Sequence, residues 1–167
     1  MNIITGRMII RDFTMNDIND MQDILGDAET MKNCEPAYTI EKTADFLQKF
    51  CIEKKRAVAA IHKDTAKVIG YILFNEFDDG VYEIGWFFNR AFWRQGFAYE
   101  SCKAVIDYLA DLNEQAQERL DTIMEQMKAT EGVTEELKRT CQIEWVQRCN
   151  NIHNRAEEIV LHEMIYS

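Results

Sequence analysis

The sequence predicts a mixed α/β chain of the α+β kind, an antiparallel β-meander with flanking helices followed by a C-terminal helical hairpin, and three observations predict it. Between Ala57 and Phe88, short apolar runs are separated by two turn signals, Lys63-Asp64-Thr65 and Asp78-Asp79-Gly80, the mark of strands joined by tight connections. Apolar residues at helical spacing lie on both sides of those runs. After Leu109 the texture changes: six of the seven glycines and the single proline, Pro36, precede that point, and Gly132 is the only glycine beyond it. Two parts are therefore expected, residues 1–108 and residues 109–167.

Taken in order, the first strand is expected at Met8–Phe13. Thr14 then opens a helix, its hydroxyl suited to cap amides near Asp17, with Ile18, Met21 and Leu25 on the buried face. A second helix starts after Thr39, where Phe46, Leu47, Phe50 and Cys51 recur at helical spacing, and it ends in the charged stretch 53–56. Ala57–His62, Lys67–Glu76 and Val81–Phe88 supply the meander, and a third helix starts directly after Gly96 with Tyr99, Cys102, Val105, Ile106 and Leu109 on one face. The order is β-α-α-β-β-β-α. In the tail, Leu112, Ala116, Leu120, Ile123 and Met127 form one stripe. Leu137, Cys141, Trp145, Cys149, Ile152, Ala156, Ile159 and Met164 form another, with Gly132 as a stop and Thr134, Glu135 and Glu136 as a capped restart. The first stripe runs almost in phase with the third helix, which allows one helix of roughly 45 Å at 1.5 Å per residue.

The chain is long enough to bury a core without disulfide or metal support. Its five cysteines are odd in number and show no CxxC pair or ligand spacing, so buried free thiols are expected and no metal site. No run approaches the length of a membrane span, and the N-terminus lacks a basic-then-apolar signal pattern, so a soluble cytoplasmic protein is expected. The net charge of −10 argues against nucleic-acid binding and favours a cationic acceptor. Residues 1–108 carry 13 Lys+Arg against 17 Asp+Glu, the tail 6 against 12, so the tail is the more acidic part.

The most informative stretch runs from Tyr82 to Glu100: a strand, a short basic turn and a helix start. Backbone amides at such a helix N-terminus form an anion site, and Gly96 allows the backbone a close approach to phosphate. On the residues alone, one glycine before a helix is ordinary turn chemistry by about four to one. The string Trp93-Arg94-Gln95-Gly96-Phe97-Ala98, however, resembles the Q/R-x-x-G-x-G/A motif of the GCN5-related N-acetyltransferase (GNAT) family, with Trp93 in the Q/R position. Phe92–Glu100 is similar to the aromatic-Trp-Gly-Lys-Gly-Tyr-Ala-Thr-Glu string of the branch that resembles ribosomal-protein N-terminal acetyltransferases. Thr5-Gly6-Arg7-Met8-Ile9-Ile10-Arg11, Lys67-Val68-Ile69-Gly70-Tyr71-Ile72 and Tyr82-Glu83-Ile84-Gly85-Trp86 fall in register with that branch.

The resemblance implies a GNAT fold and an N-acetyltransferase that moves acetyl from acetyl-CoA, as co-substrate, to a primary amine, protein N-terminal or small-molecule. It implies pyrophosphate held by Arg94, Gln95, Gly96, Phe97, Ala98 and Tyr99, and pantetheine paired with the main chain of Phe87 and Phe88. Deprotonating an α-amine of pKa ~8 at pH 7 costs about 1.4 kcal/mol, against about 4.6 for a lysine near ~10.4, so a sparsely equipped site favours the former. Glu83, on the strand where relatives place a glutamate, is the candidate base, set beside apolar Ile84 and Trp86; the equal alternative is that it faces solvent or pairs with a cation. In the loop Asn33–Thr39, Glu35 and Tyr38 are candidate contacts for the amine, against plain turn chemistry around Pro36. His62, His153 and His162 have no partner spacing that suggests catalysis.

The resemblance covers residues 1–108 only. The fifth strand, fourth helix and closing strands of the family have no counterpart beyond Tyr108, so the fold is expected to be a truncated GNAT domain with activity impaired. The fourth strand would then be an open edge rich in Trp86, Phe87 and Phe88, to be covered by the tail helices or a second subunit, hence a homodimer. The tail, through residues 126–138 and 156–167, resembles the C-terminal region of transposon-encoded TnpV-type proteins, which implies a gene fusion. The competing reading is an inactive remnant that serves as a helical oligomerisation module.

Overall fold

The computed structural model describes residues 1–78 and 81–166; the turn expected at Asp78-Asp79-Gly80 falls on residues 79 and 80, outside the described residues. The chain divides into two compact units, Met1–Tyr108 and Leu109–Ser167. The first holds β1 (Asn2–Ile4), β2 (Met8–Asp12), β3 (Ala57–His62), β4 (Val68–Asp78) and β5 (Val81–Phe88), antiparallel and in spatial order β1-β2-β3-β4-β5. Between β2 and β3 lie α1 (Ile18–Leu25), α2 (Ala28–Met31) and α3 (Ile40–Phe46), the last running into a π-helical stretch at Leu47–Glu53. After β5 a single turn at Arg90–Phe92 leads to α4 (Phe97–Glu131). The fold is mixed α+β, as the periodicities predict. The additions are β1, held to β2 by Ile3 opposite Ile10, and the four-residue α2.

The sheet is covered on both faces. β3 reads Ala-Val-Ala-Ala-Ile-His because its side chains alternate between two cores. Ala57, Ala59 and Ile61 pack with Met21, Leu25 and Leu47. Val58 and Ala60 pack with Met8, Ile72, Phe97 and Val105. Each of the large aliphatic side chains fully buried here contributes about 1.5–3 kcal/mol of transfer free energy.

Thr14 and Asp17 form the expected cap as a reciprocal capping box, the Thr14 side chain accepting from the Asp17 backbone amide, while the Thr14 amide and hydroxyl reach the Asp17 carboxylate at 2.8 and 3.1 Å. Arg11 grips the same carboxylate with two nitrogens at 2.8 Å, and Asp17 is 6% exposed. Burial works to raise its pKa, but Arg11 and Thr14 together outweigh it and the carboxyl titrates below its ordinary value. Its contribution to stability is therefore present above the unfolded-state value of about 3.9 and is lost as pH falls through the folded one. Asp17→Asn is expected to cost roughly 1–3 kcal/mol at pH 7, the size of a broken, half-shielded charged pair. In urea titrations the gap between parent and variant should narrow below about pH 4; a gap independent of pH would contradict this.

In the second unit, Ile123 packs with Ala156 and Val160, supported by Ala116, Leu120 and Met127. Gly132, at φ +68, ends α4, and the Thr134 hydroxyl accepts from the Leu137 amide at 3.3 Å to start α5 (Glu135–Thr140). The chain breaks once more at Cys141 before α6 (Gln142–Tyr166). The second stripe is corrected in phase: Ile159 is 41% exposed, while Val160 is buried with Ile152 and Ala156. Steps of four residues keep this face on one side.

Two further expectations are corrected. Of the cysteines only Cys51 is buried, its thiol pushed up to about 12 by desolvation; Cys34 and Cys141 are exposed. β5 does close the sheet order, but only Trp86 of its three terminal aromatics is exposed. Phe88 turns into the core, and Phe87 stacks on Tyr71 at 5.2 Å and 10°. No helix of the described residues is long and apolar enough to cross a membrane. Among the described residues no group of three or more His, Cys, Asp or Glu could hold a metal ion.

Candidate functional site

The end of β5 is pinned before the turn begins. Asn89 donates its amide to the Ile69 carbonyl at 2.8 Å and accepts the Ala91 amide at 3.0 Å on its side chain. Trp93 then reaches back, its indole N–H donating to the Phe88 carbonyl at 2.7 Å. Trp93 thus ties the turn to the strand it leaves.

Arg94 and Gly96 both have left-handed backbones, φ +61 and +81. Arg94 bears roughly 1–2 kcal/mol of strain there, Gly96 none. The first helical bond runs from the Glu100 amide to the Gly96 carbonyl at 3.0 Å, so the amides of Phe97, Ala98 and Tyr99 precede it and have no intrahelical acceptor. Free amides beside left-handed backbone make an anion-binding concavity at the positive end of a helix.

A cleft of about 570 Å³ opens between this turn and the strand, lined by Trp86, Phe87 and Phe88 on one side and by Arg94, Gly96, Phe97, Ala98 and Tyr99 on the other. That size lies within the usual range for small-molecule sites. Seven of the eight residues expected to bind the cofactor meet there. Gln95 does not line the cleft; its side chain donates to the Ala91 carbonyl at 2.9 Å, and its own carbonyl accepts from Arg7 at 2.9 Å.

The candidate acceptor contacts are placed otherwise. Glu35 is exposed and holds Lys42 at 2.6 Å and the Tyr38 hydroxyl at 3.3 Å. The Lys42 hydrogen bond and charge hold its carboxyl below the usual range, and Lys42 lies 3.9 Å over the Tyr38 ring. Neither Glu35 nor Tyr38 lines the cleft; Asn33 and Cys34 of the same loop do, with Thr30. Glu83 is exposed on β5 opposite Asn75, on the sheet face of Phe87, and does not line the cleft either. Sequence reading missed Trp86, Phe92 and Trp93 as cleft walls. For Trp93 the motif position was a usable signal; for Cys34 nothing in the spacing was. His62 sits between the rings of Phe92 and Phe97, at 5.5 and 5.4 Å, as a packing residue.

Comparison with known proteins identifies the family and its fold. YnaD of Bacillus subtilis strain 168, an uncharacterized N-acetyltransferase, is 32% identical over 110 residues, 65% of this chain and 65% of its own. The GNAT-family acetyltransferase of Bacillus anthracis superposes with a TM-score of 0.60 at 30% identity over 65% of each chain. A Vibrio cholerae structure whose working description is ribosomal-protein-serine acetyltransferase gives 0.58 at 19% identity, over 68% of this chain and 69% of its own, a likeness of fold alone. The chain thus spans 65% of the length of YnaD and of the Bacillus anthracis protein. The model of the acetyltransferase (GNAT) domain matches residues 7–156, all but the two ends, and the chain belongs to the GNAT acetyltransferase family.

Proposed function

We propose that this protein is an N-acetyltransferase that takes acetyl from acetyl-CoA and delivers it to a primary amine, protein N-terminal or small-molecule. The observation that carries the reading is the meeting, on one cleft, of the Gly96 turn and the end of the edge strand β5. The unpaired amides of Phe97, Ala98 and Tyr99 suit a pyrophosphate, with Arg94 adding charge, and the outer main chain of Phe87 and Phe88 suits the amide-bearing arm of a pantetheine. Gly96 leaves room for that approach: a Cβ there would meet only Arg7, at 3.5 Å. Acetyl-CoA supplies the activated acyl group; the protein's part is to bind it, align it and relieve the amine of its proton. Glu83 is the base in this reading. It lies four residues along β5 from Phe87, about 13 Å of strand, and takes the proton directly or through water. Glu35 and Tyr38 receive the ammonium by displacing Lys42 from the carboxylate and ring.

The motif string at Phe92–Glu100 supports placement in the ribosomal-protein N-terminal acetyltransferase-like branch. The helical unit at 109–167, with its TnpV-like strings, supports a fusion to a domain of residues 1–108. Five free cysteines suit a reducing cytoplasm, and the exposed Trp86 on an edge strand suits a homodimer through β5, with the tail helices as the other route. A second reading, an inactive remnant that serves as a helical oligomerisation or binding module, draws on β5 being the last strand of the sheet. Calorimetric titration with acetyl-CoA, followed by thiol release with a panel of peptides and small amines, separates the readings. Saturable binding with amine-dependent release is expected. Binding without release would favour the remnant, and absence of binding would defeat the acetyl-CoA reading.

A further inference from the structure

Arg7, in the bend between β1 and β2, reaches across 88 residues of sequence to the phosphate-binding turn. Its Nη1 donates to the Gln95 carbonyl at 2.9 Å, its Nε to one carboxylate oxygen of Glu100 at 2.7 Å, and its backbone amide to the other oxygen at 3.0 Å. The guanidinium lies 4.1 Å over the Phe97 ring. One side chain therefore touches the turn, the first helical residue and the first helical turn. A planar fork with fixed donor directions can hold three such groups at once, where a lysine cannot.

The bond to Gln95 has a directional consequence. In a trans peptide the carbonyl of one residue and the N–H of the next point in opposite directions. Fixing the Gln95 carbonyl on Arg7 therefore turns the Gly96 N–H away from Arg7. Two cavities meet at Gly96: one includes Arg7, and the other is the 570 Å³ cleft with β5. The N–H is thus aimed to the side of the cleft. Gln95 lies between two left-handed residues, Arg94 and Gly96, a segment with little intrinsic preference for one peptide orientation, so an external clamp is needed to fix it. Arg7 also neutralises Glu100, whose carboxylate would otherwise stand beside the bound phosphates.

We infer that Arg7 is a positioning residue for pyrophosphate: it does not belong to the cleft wall, but it orients the Gly96 amide and screens Glu100 so that the turn accepts an anion. The inference rests on the acetyl-CoA reading above and names the residue on which the affinity of its phosphate half depends. The test is titration of parent, Arg7→Gln, Arg7→Lys and Glu100→Gln with acetyl-CoA and with S-acetylpantetheine, which lacks the pyrophosphate and nucleotide. Arg7→Gln is expected to lose about ten- to a hundredfold in acetyl-CoA affinity, the size of lost charge-assisted hydrogen bonds, and to change S-acetylpantetheine binding by less than about threefold. Arg7→Lys restores charge against Glu100 but not the fork and recovers only part; Glu100→Gln keeps the bond to Gln95 and stays near the parent. In ¹⁵N-labelled protein, the Gly96 amide resonance should move on addition of acetyl-CoA in the parent and not in Arg7→Gln at the same concentration. Equal losses for both ligands, or an Arg7→Gln variant that binds acetyl-CoA like the parent, would overturn the inference while leaving the acetyl-CoA reading intact. A parent that binds neither ligand and shows no Gly96 shift would defeat both.

Discussion

Gly96→Asp should abolish measurable acetyl-CoA binding, a loss of at least roughly a hundredfold, while Gly96→Asn should stay within about tenfold of the parent. The pair is chosen because Asp and Asn share shape and share tolerance for the left-handed region that Gly96 occupies at φ +81. Space does not distinguish them, since the added Cβ would lie at 3.5 Å from Arg7 Nη2, ordinary contact. Their difference is one negative charge, set where the amides of Phe97, Ala98 and Tyr99 are free to receive an anion. Two unit charges 4 Å apart at an effective dielectric of 20 repel by about 4 kcal/mol, approaching a thousandfold in affinity. The Asp carboxylate would also compete with Glu100 for Arg7, loosening the turn from outside. Calorimetry at fixed ionic strength measures both variants. Equal losses in Asp and Asn would mean that the backbone, not a bound phosphate, sets the effect, and an Asp variant that binds normally would remove the turn from the binding site altogether.

The turn proposed to hold phosphate was legible as one unit because its signal is local. A strand, a glycine and a helix start within the Tyr82–Glu100 string are contiguous, and the structure brings Arg94, Gly96, Phe97, Ala98 and Tyr99 onto one cleft with Phe87 and Phe88. The helix breaks at Gly132 and Thr134 were legible for the same reason: a left-handed glycine and a capping hydroxyl act on their own neighbours. What escaped is long-range. Arg7 stands 88 residues from its partner Gln95, and no periodicity carries that pairing. Cys34 looks like any thiol in a loop until the fold carries it to the cleft wall. The phase of α6 was misjudged because Ile159 and Val160 are equally apolar, and only packing against Ile123 selects Val160. β1, at three residues, is too short for alternation to register.

Gly70→Ala is expected to destabilise the first unit by about 2–3 kcal/mol, at the upper end of the cost of overpacking, and to lower its melting temperature by roughly 5–12 °C. Gly70 and Phe88 are directly opposed on β4 and β5, and Phe88 lays its ring over the glycine. A Cβ at Gly70 would fall 2.3 Å from Cδ1, 2.5 Å from Cε1 and 2.6 Å from Cγ of that ring, closer than any real carbon contact. The Cγ contact is at the ring's root, so spinning the ring cannot relieve it; the side chain must swing out or β5 must shift. Swinging out exposes an aromatic that is 5% exposed and opens a void beside Ile69 and Phe97 in the same core. Moving β5 instead displaces the Phe88 carbonyl that Trp93 anchors at 2.7 Å, and with it the cleft wall. Stability and acetyl-CoA affinity should therefore fall together in this variant. Phe88→Leu removes the ring and is destabilising by itself, but the clash is absent from the double variant. In a double-mutant cycle, Gly70→Ala with Phe88→Leu should cost at least about 1 kcal/mol less than the sum of the single changes. Additivity within about 0.5 kcal/mol, read from urea denaturation, would mean that the ring does not rest on Gly70 and that the glycine is there for another reason.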